Sequence, residues 1–260
     1  MDESYSEEYA DLYRRHWWWR SREEILVQVI QSFELEPPLE ILDVGCGDGL
    51  FFPSLGRFGD VRGIEIDRSL LTDDNPFRDR ICTMPLGNAA YAHCQFDLIT
   101  ALDVIEHIED DRNAVAHMFD MLRPGGVLLA TMPAFMQLWD HHDETNRHHR
   151  RYTKQTVVEL LQPHCEAVDV RYLFHAIFLP KLLLKIVNLG RRKKFSQHKI
   201  PHAAVNRFML ALCVGEYRLL RRLHVPFGTS VLAVARKRRG ETPRCDCRTN
   251  PLSSRAQAAS

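Results

Sequence analysis

Residues Leu39 to Phe51 read Leu-Glu-Ile-Leu-Asp-Val-Gly-Cys-Gly-Asp-Gly-Leu-Phe. An apolar run, Ile41, Leu42 and Val44, carries one acidic residue, Asp43, and runs directly into glycines at alternate positions, Gly45, Gly47 and Gly49. Such a stretch reads as a buried parallel strand turning tightly into a helix. Glycine suits the turn because it takes positive φ freely and lets a ligand approach the backbone without meeting a Cβ. The helix start beyond it offers free N–H groups.

Two classes of nucleotide-like ligand use such a turn. A dinucleotide site shows G-x-G-x-x-G, with pyrophosphate on the helix N-terminus. Here the spacing is G-x-G-x-G with Asp43 in front of it. A carboxylate in that place repels pyrophosphate and favours an ammonium or sulfonium. The next strand, Val61 to Ile64, runs into Glu65, whose oxygens can accept both hydroxyls of a ribose. Further on come Pro85 to Ala89, the strand Phe96 to Ala101, the stretch Asp103-Val104-Ile105-Glu106-His107, the turn Arg123-Pro124-Gly125-Gly126, and the strand Val127 to Met132.

In that order and spacing the chain resembles the Rossmann-like class I S-adenosylmethionine-dependent methyltransferases. Asp143, His148 and Arg150-Arg151-Tyr152 are similar to a bacterial-type subgroup of unassigned substrate. The resemblance implies an α/β fold: a Rossmann-like, doubly wound, mostly parallel seven-stranded sheet with an N-terminal helical lid and a helical insertion before the last strand. It implies S-adenosyl-L-methionine as cofactor. Gly45, Cys46 and Gly47 would lie against the methionine moiety with Asp43 beneath, Glu65 would hold the ribose, Asn88 would meet adenine, and Asp103 and Val104 would close the other side. The lid spans 1–38, the cofactor-binding core 39–175, the insertion 176–228 and the last strand 229–237. Residues 238–260 form a polar tail expected to be disordered.

At 260 residues the chain suits one large α/β domain. With 34 basic against 34 acidic side chains, bulk charge predicts no nucleic-acid partner. Seven cysteines, an odd number without a C-x-x-C pair, suit a reducing compartment such as the cytoplasm. Cys245-Asp246-Cys247 reads as incidental, and the acidic N-terminus lacks the apolar segment of a secretory signal.

Ser21 with Glu24 predicts a capping box, followed by Ile25, Leu26, Val29, Ile30 and Phe33 on one helical face. The cluster Trp17-Trp18-Trp19 suits either a lid or simple packing of this helix on the domain. The first helix of the core is expected over Gly49 to Phe58 and the third strand over Ile81 to Met84. The sixth strand is expected over Val168 to Phe174. The last, Ser230 to Ala235, is antiparallel on the family topology. Ile177 to Val187, the basic run Arg191 to Lys194 and a helix from about Ala203 to Leu223 make the insertion. Apolar helices flanked by basic residues can rest on a membrane interface, here the inner face through 176–223, or form a hairpin packed on the sheet or on a second subunit.

The segment Pro133 to Tyr152 holds four histidines, three acids and three arginines, and it follows a central strand where an open α/β sheet places its ligands. His141, His142, Asp143, His148 and His149 could ligate a metal. The His-His pairs lack a preformed helical spacing and methyl transfer from a sulfonium needs no metal, so none is expected. A hydroxyl or carboxylic acid acceptor needs a base that titrates near working pH, which singles out His107, His142 and His148. His148 is the choice, with Asp143 orienting it and Arg150, Arg151 and Tyr152 on the acceptor side. The activity expected is methyl transfer by in-line displacement to a small or lipid-linked acceptor. Its rivals are a non-catalytic binder of the same cofactor and a nicotinamide-dependent dehydrogenase.

Overall fold

The computed structural model describes residues 11–87, 91, 94–187 and 200–239. Asn88, the run Arg191 to Lys194 and the tail with Cys245 and Cys247 lie outside them.

Seven strands form one sheet: β1 (Leu39–Val44), β2 (Gly59–Ile64), β3 (Ile81–Cys82), β4 (Phe96–Leu102), β5 (Leu122–Pro133), β6 (Cys165–Leu173) and β7 (Ser230–Lys237), in the order β3-β2-β1-β4-β5-β7-β6. The pairings from β3 through β5 are parallel, and β7 runs antiparallel to β5 and β6. The strand order reverses between β1 and β4, so the crevice at their C-terminal ends is the place for a ligand.

Alternation along the strands feeds two cores. On one face Leu42, Ile99 and Leu128 pack with Val115 and Met118 of α3 (Asp111–Met121) and Val157 and Leu161 of α5 (Lys154–Leu161). On the other, Ile41, Leu98 and Leu129 pack with Ile25 and Ile30 of α1 (Trp17–Gln31), Leu55 of α2 (Phe52–Leu55) and Cys213 of α7 (Ala203–Leu220). Asp110 caps α3 and Thr153 caps α5, as their side chains predict.

Several local expectations need correction. α1 is capped by His16, whose Nδ1 accepts the Trp18 N–H at 3.1 Å. Ser21 therefore lies inside the helix, fully buried, and its hydroxyl donates to the Trp18 carbonyl at 3.0 Å instead of capping. α2 begins at Phe52, because Gly45, Gly47 and Gly49 all sit at positive φ (68°, 57° and 83°) and keep the chain out of helix until then. It ends at Leu55, short of Phe58. β3 is two residues long, and β6 starts at Cys165 with a register irregularity that its alternation pattern did not predict. Of the two roles open to the tryptophans, packing describes Trp17 and Trp18: both lie against the second core, and Trp18 meets Phe174 with ring centroids 4.5 Å apart.

The insertion contains α6 (His175–Val187) and α7. α7 lies along α1, joined by Arg218 to Glu24 at 2.7 Å and by the Trp17 N–H to Asn206 at 2.8 Å. α6 has no buried residue: Leu179, Leu183, Ile186 and Val187 form an exposed apolar stripe.

Candidate active site

The crevice is built by β1, β2 and β4. Asp43 projects from β1, almost fully buried, and its Oδ1 accepts the hydroxyl of Thr100 on β4 at 2.5 Å. Burial, together with the nearby Glu65 and against the Thr100 hydrogen bond, pushes the Asp43 carboxyl up to about 7. Thr100 lies directly across the β1–β4 pairing from Asp43. Only that pairing identifies it, since its place inside an apolar strand carries no sign of a site.

At Gly45, a Cβ would stand 2.4 Å from Cγ2 of Val104. The loop after β4 thus rests directly on the glycine turn, which only glycine permits. At Gly47 the reason differs: φ is +57° and nothing lies within 4 Å of a Cβ position, so the backbone faces open space. Glu65 accepts the Gly47 N–H through Oε2 and the Asp67 N–H through Oε1, each at 2.9 Å. These two donors fix the carboxylate and leave a lone pair free on each oxygen. Cys46 turns its sulfur against Gly63, where a Cβ would come within 2.4 Å. Burial and then the charges of Asp43 and Glu65 raise its thiol far out of the nucleophilic range.

Asp103 holds a left-handed backbone (φ 56°) and pairs with Arg22 of α1, a residue without a sequence signal for this role. Thr131 on β5 donates to Asp103 at 3.0 Å and accepts from Arg22 at 2.8 Å. Asp103 therefore ties α1 to the ends of β4 and β5.

Beyond β5, α4 (His141–Thr145) is capped by Asp140 and carries the buried Asp143. Asp143 accepts from Arg151 Nε and Nη2 and shares Oδ1 with His148 Nδ1, each at 2.8 Å. Burial opposes its ionisation, but the His148 and Arg151 hydrogen bonds hold its carboxyl well below the ordinary range. Ionised Asp143 can only accept, so His148 carries a proton on Nδ1, and the neutral imidazole presents its lone pair on Nε2. The rings of His148 and His107 meet edge to face with centroids 4.5 Å apart, while His142 stands farther off at 6.1 Å from His148 and contacts Asn146. Burial, then His148, lowers the His107 pKa. Glu106 is fully buried, and burial followed by the charge of Asp103 holds its carboxyl well above the ordinary range.

The expected acceptor contacts of Arg151 and Tyr152 do not survive. The Arg151 side chain is 3% exposed and spent on Asp143 and the Ala134 carbonyl. Tyr152 is buried, and its hydroxyl donates to Asp111 at 2.9 Å. Arg150, partly exposed, pairs with Asp111 at 2.7 Å and donates to the Glu109 carbonyl at 2.6 Å. Sequence position alone could not separate these neighbours, because burial in an irregular segment follows no period.

Comparison with known proteins fits this architecture. A ubiquinone biosynthesis O-methyltransferase of Psychrobacter cryohalolentis is 36% identical over 98 residues, 34% of this chain and 38% of that protein. The chain thus aligns with well under two thirds of that relative's length. Among solved structures, the plantazolicin methyltransferase BpumL in complex with SAH superposes with a TM-score of 0.56 at 16% identity, covering 92% of this chain and 91% of that one. The [4+2]-cyclase SpnF superposes with a TM-score of 0.55 at 17% identity, covering 86% and 83%. Both show the fold. Residues 15–164, more than half of the 260, match the family model described as a methyltransferase domain, and the chain belongs to that family.

Proposed function

We propose that the chain is an S-adenosylmethionine-dependent methyltransferase acting on an oxygen of a small or lipid-linked acceptor. The observation that carries this is the turn at the reversal point of the sheet. Gly47 faces open space there, and among the described residues neither Asp43 nor Glu65 forms an ion pair with a lysine or arginine. Two acidic groups without basic partners at an open glycine turn suit a cation that carries hydroxyls. S-adenosylmethionine is such a ligand and supplies, when bound, an electrophilic methyl group on a positively charged sulfur. Asp43 would favour that charge and Glu65 would accept from the ribose hydroxyls. Val104, resting on Gly45, would bound the site, and catalysis would come mainly from alignment and exclusion of water.

The same charges disfavour a nicotinamide dinucleotide, whose pyrophosphate would meet Asp43. The cyclase on this fold is a reminder that architecture does not choose the reaction. The O-methyltransferase relative supports oxygen as the acceptor atom. Calorimetry with S-adenosylmethionine, SAH and NAD tests the cofactor, with binding of the first two and none of the third expected. SAH formation with a panel of phenols and lipid-linked phenols tests turnover. No product from any of them would leave a binding protein.

Affinity for S-adenosylmethionine should depend on pH. Asp43 titrates near 7 when folded, and a cationic ligand favours its ionised form. Below that pH, binding must release a proton, so affinity falls on acidification by roughly tenfold per unit at most. Asp43→Asn should flatten the profile measured between pH 5 and 8. A wild-type profile already flat would remove Asp43 from charge recognition.

The acceptor's lipid character connects to α6 and α7. Among the described residues no helix is long and apolar enough to cross a membrane. The exposed stripe Leu179, Leu183, Ile186 and Val187 of α6 can instead rest on a lipid surface, and α7 also exposes Phe208 with the basic Arg207 beside it in sequence. Flotation with anionic liposomes should recover the protein at low salt and less of it at high salt, each basic side chain contributing about 1 kcal/mol. Protein that stays at the bottom in both would mean that the stripe covers a protein surface.

A further inference from the structure

The two edges of the sheet differ. β3 closes one side with two residues, whereas β6 closes the other with nine, and no proline interrupts it. Its register irregularity lies at the start, between Cys165 and Ala167, and leaves Ala167 to Leu173 in regular pairing with β7. The Leu173 carbonyl accepts the Thr229 N–H, so Leu173 turns its backbone groups towards β7. Direction alternates along an antiparallel strand: Asp169 and Arg171 face β7 as Leu173 does, and Val168, Val170 and Tyr172 turn their N–H and C=O groups away from the sheet. Those outward groups have no hydrogen-bond partner among the described residues. A long strand in that state is a template for another strand, and chains that keep an edge solitary shorten it, bulge it or place proline on it.

The side chains of β6 choose which strand. Asp169 and Arg171 are both partly exposed and share one face of the strand, where Arg171 Nε donates to Asp169 at 3.0 Å. Consider a second β6 laid antiparallel about a two-fold axis through Val170. Val170 then faces itself and Val168 faces Tyr172, so each outward-turned residue meets another. Asp169 of each copy stands opposite Arg171 of the other, in the non-hydrogen-bonded position where side chains approach most closely. Sliding one strand by two residues, the smallest shift that keeps outward groups opposed, sets Asp169 against Asp169 or Arg171 against Arg171. The charges therefore favour one register and make the strand complementary to itself. On the opposite face, Val158 of α5 and Val168 are only partly buried against the first core, and they flank an open groove of about 490 Å³ between α5 and β6.

We propose that β6 is the dimer interface of the chain, pairing antiparallel with β6 of a second copy through Val168, Val170 and Tyr172. The contact is isologous, so it closes at two copies and joins their sheets into one. Cross-strand Asp169–Arg171 pairs fix the register, and the second copy covers the groove beside Val158 and Val168. The partner is identified by self-complementarity, and the assignment stands independently of the methyltransferase reading.

The test uses the full chain in sedimentation velocity from low micromolar to hundreds of micromolar. A reversible dimer is expected. Asp169→Arg leaves two arginines on each strand and Arg171→Asp leaves two aspartates, so each variant alone should dissociate at least about tenfold more readily than the wild type. An equimolar mixture of the two variants should recover the dimer, because every Arg then faces an Asp of the other chain. The pair within one chain is lost in both variants, so a role confined to folding gives no recovery on mixing. Circular dichroism and thermal melting confirm that each variant is folded. Wild-type protein that remains monomeric throughout overturns the proposal and leaves the edge to a different strand. A dimer that both substitutions leave unchanged, or that mixing fails to restore, overturns it as well and places the contact elsewhere.

Discussion

Glu65→Ala should weaken binding of S-adenosylmethionine by about 3 kcal/mol, roughly a hundredfold, because two charge-assisted hydrogen bonds to a ribose are lost together. The surrounding geometry makes the expectation specific. Glu65 lies just beyond β2 and is itself held by the Gly47 and Asp67 N–H groups at 2.9 Å, so its orientation is fixed before the ligand arrives. Removing it also releases the Gly47 N–H, and the glycine turn should loosen. Glu65→Gln separates the two effects: the amide oxygen can still accept one backbone N–H, while its NH₂ group confronts the other donor and the charge is gone. Calorimetry with SAH is the measurement. Unchanged affinity in Glu65→Ala would discredit the ribose assignment. A loss confined to Glu65→Ala would assign the residue to bracing the turn.

What made this half of the site legible was local chemistry. Asp43, Gly45, Gly47 and Glu65 lie within two consecutive strands and their turns, where spacing along the chain nearly determines spacing in space. The same holds for much of the sheet, since β1, β4 and β5 carry apolar runs bounded by glycine or by acidic turns. β7 was legible only through family topology. Its apolar run fits a strand, but nothing in Ser230 to Ala235 says that it runs antiparallel between β5 and β6.

The other half is made of contacts between distant loops, and there single residues misled. Arg22 follows three tryptophans on a helix that packs as core, yet its guanidinium reaches Asp103. Glu106 reads as one more acid in a loop, and nothing in Ile105-Glu106-His107 announces that the carboxylate is buried without a partner. The histidine-rich segment drew attention to pairs along the sequence. The structure instead pairs His148 with His107, from the loop of a different strand. Helical or strand periodicity cannot encode such a meeting, because both segments are irregular where they touch.

Arg151 gives the sharpest contrast between these two kinds of information, and its replacement should have the largest effect on stability. In sequence it looks like an anion anchor beside Arg150. In the structure its guanidinium forms two parallel bonds to Asp143 at 2.8 Å and a third to the Ala134 carbonyl at 3.2 Å, all in the interior. Arg151→Ala leaves the Asp143 charge buried with only His148 and the start of α4 to answer it, which should cost about 3 to 5 kcal/mol. For a chain of this size the melting temperature should fall by about 10 °C. Arg151→Lys should lie in between, since an ammonium keeps the charge but not the two-pronged geometry. Arg150→Ala, which removes a half-exposed pair with Asp111, should cost less than about 1 kcal/mol. Thermal and urea unfolding of the three variants, with acceptor KM measured on those that fold, decides between the roles. If Arg151→Ala melts with the wild type while the acceptor KM rises, the guanidinium serves the acceptor after all and Asp143 finds its stability elsewhere. A large loss of stability, with Arg150→Ala nearly silent, places Arg151 in the frame that holds Asp143 and, through it, the Nε2 lone pair of His148.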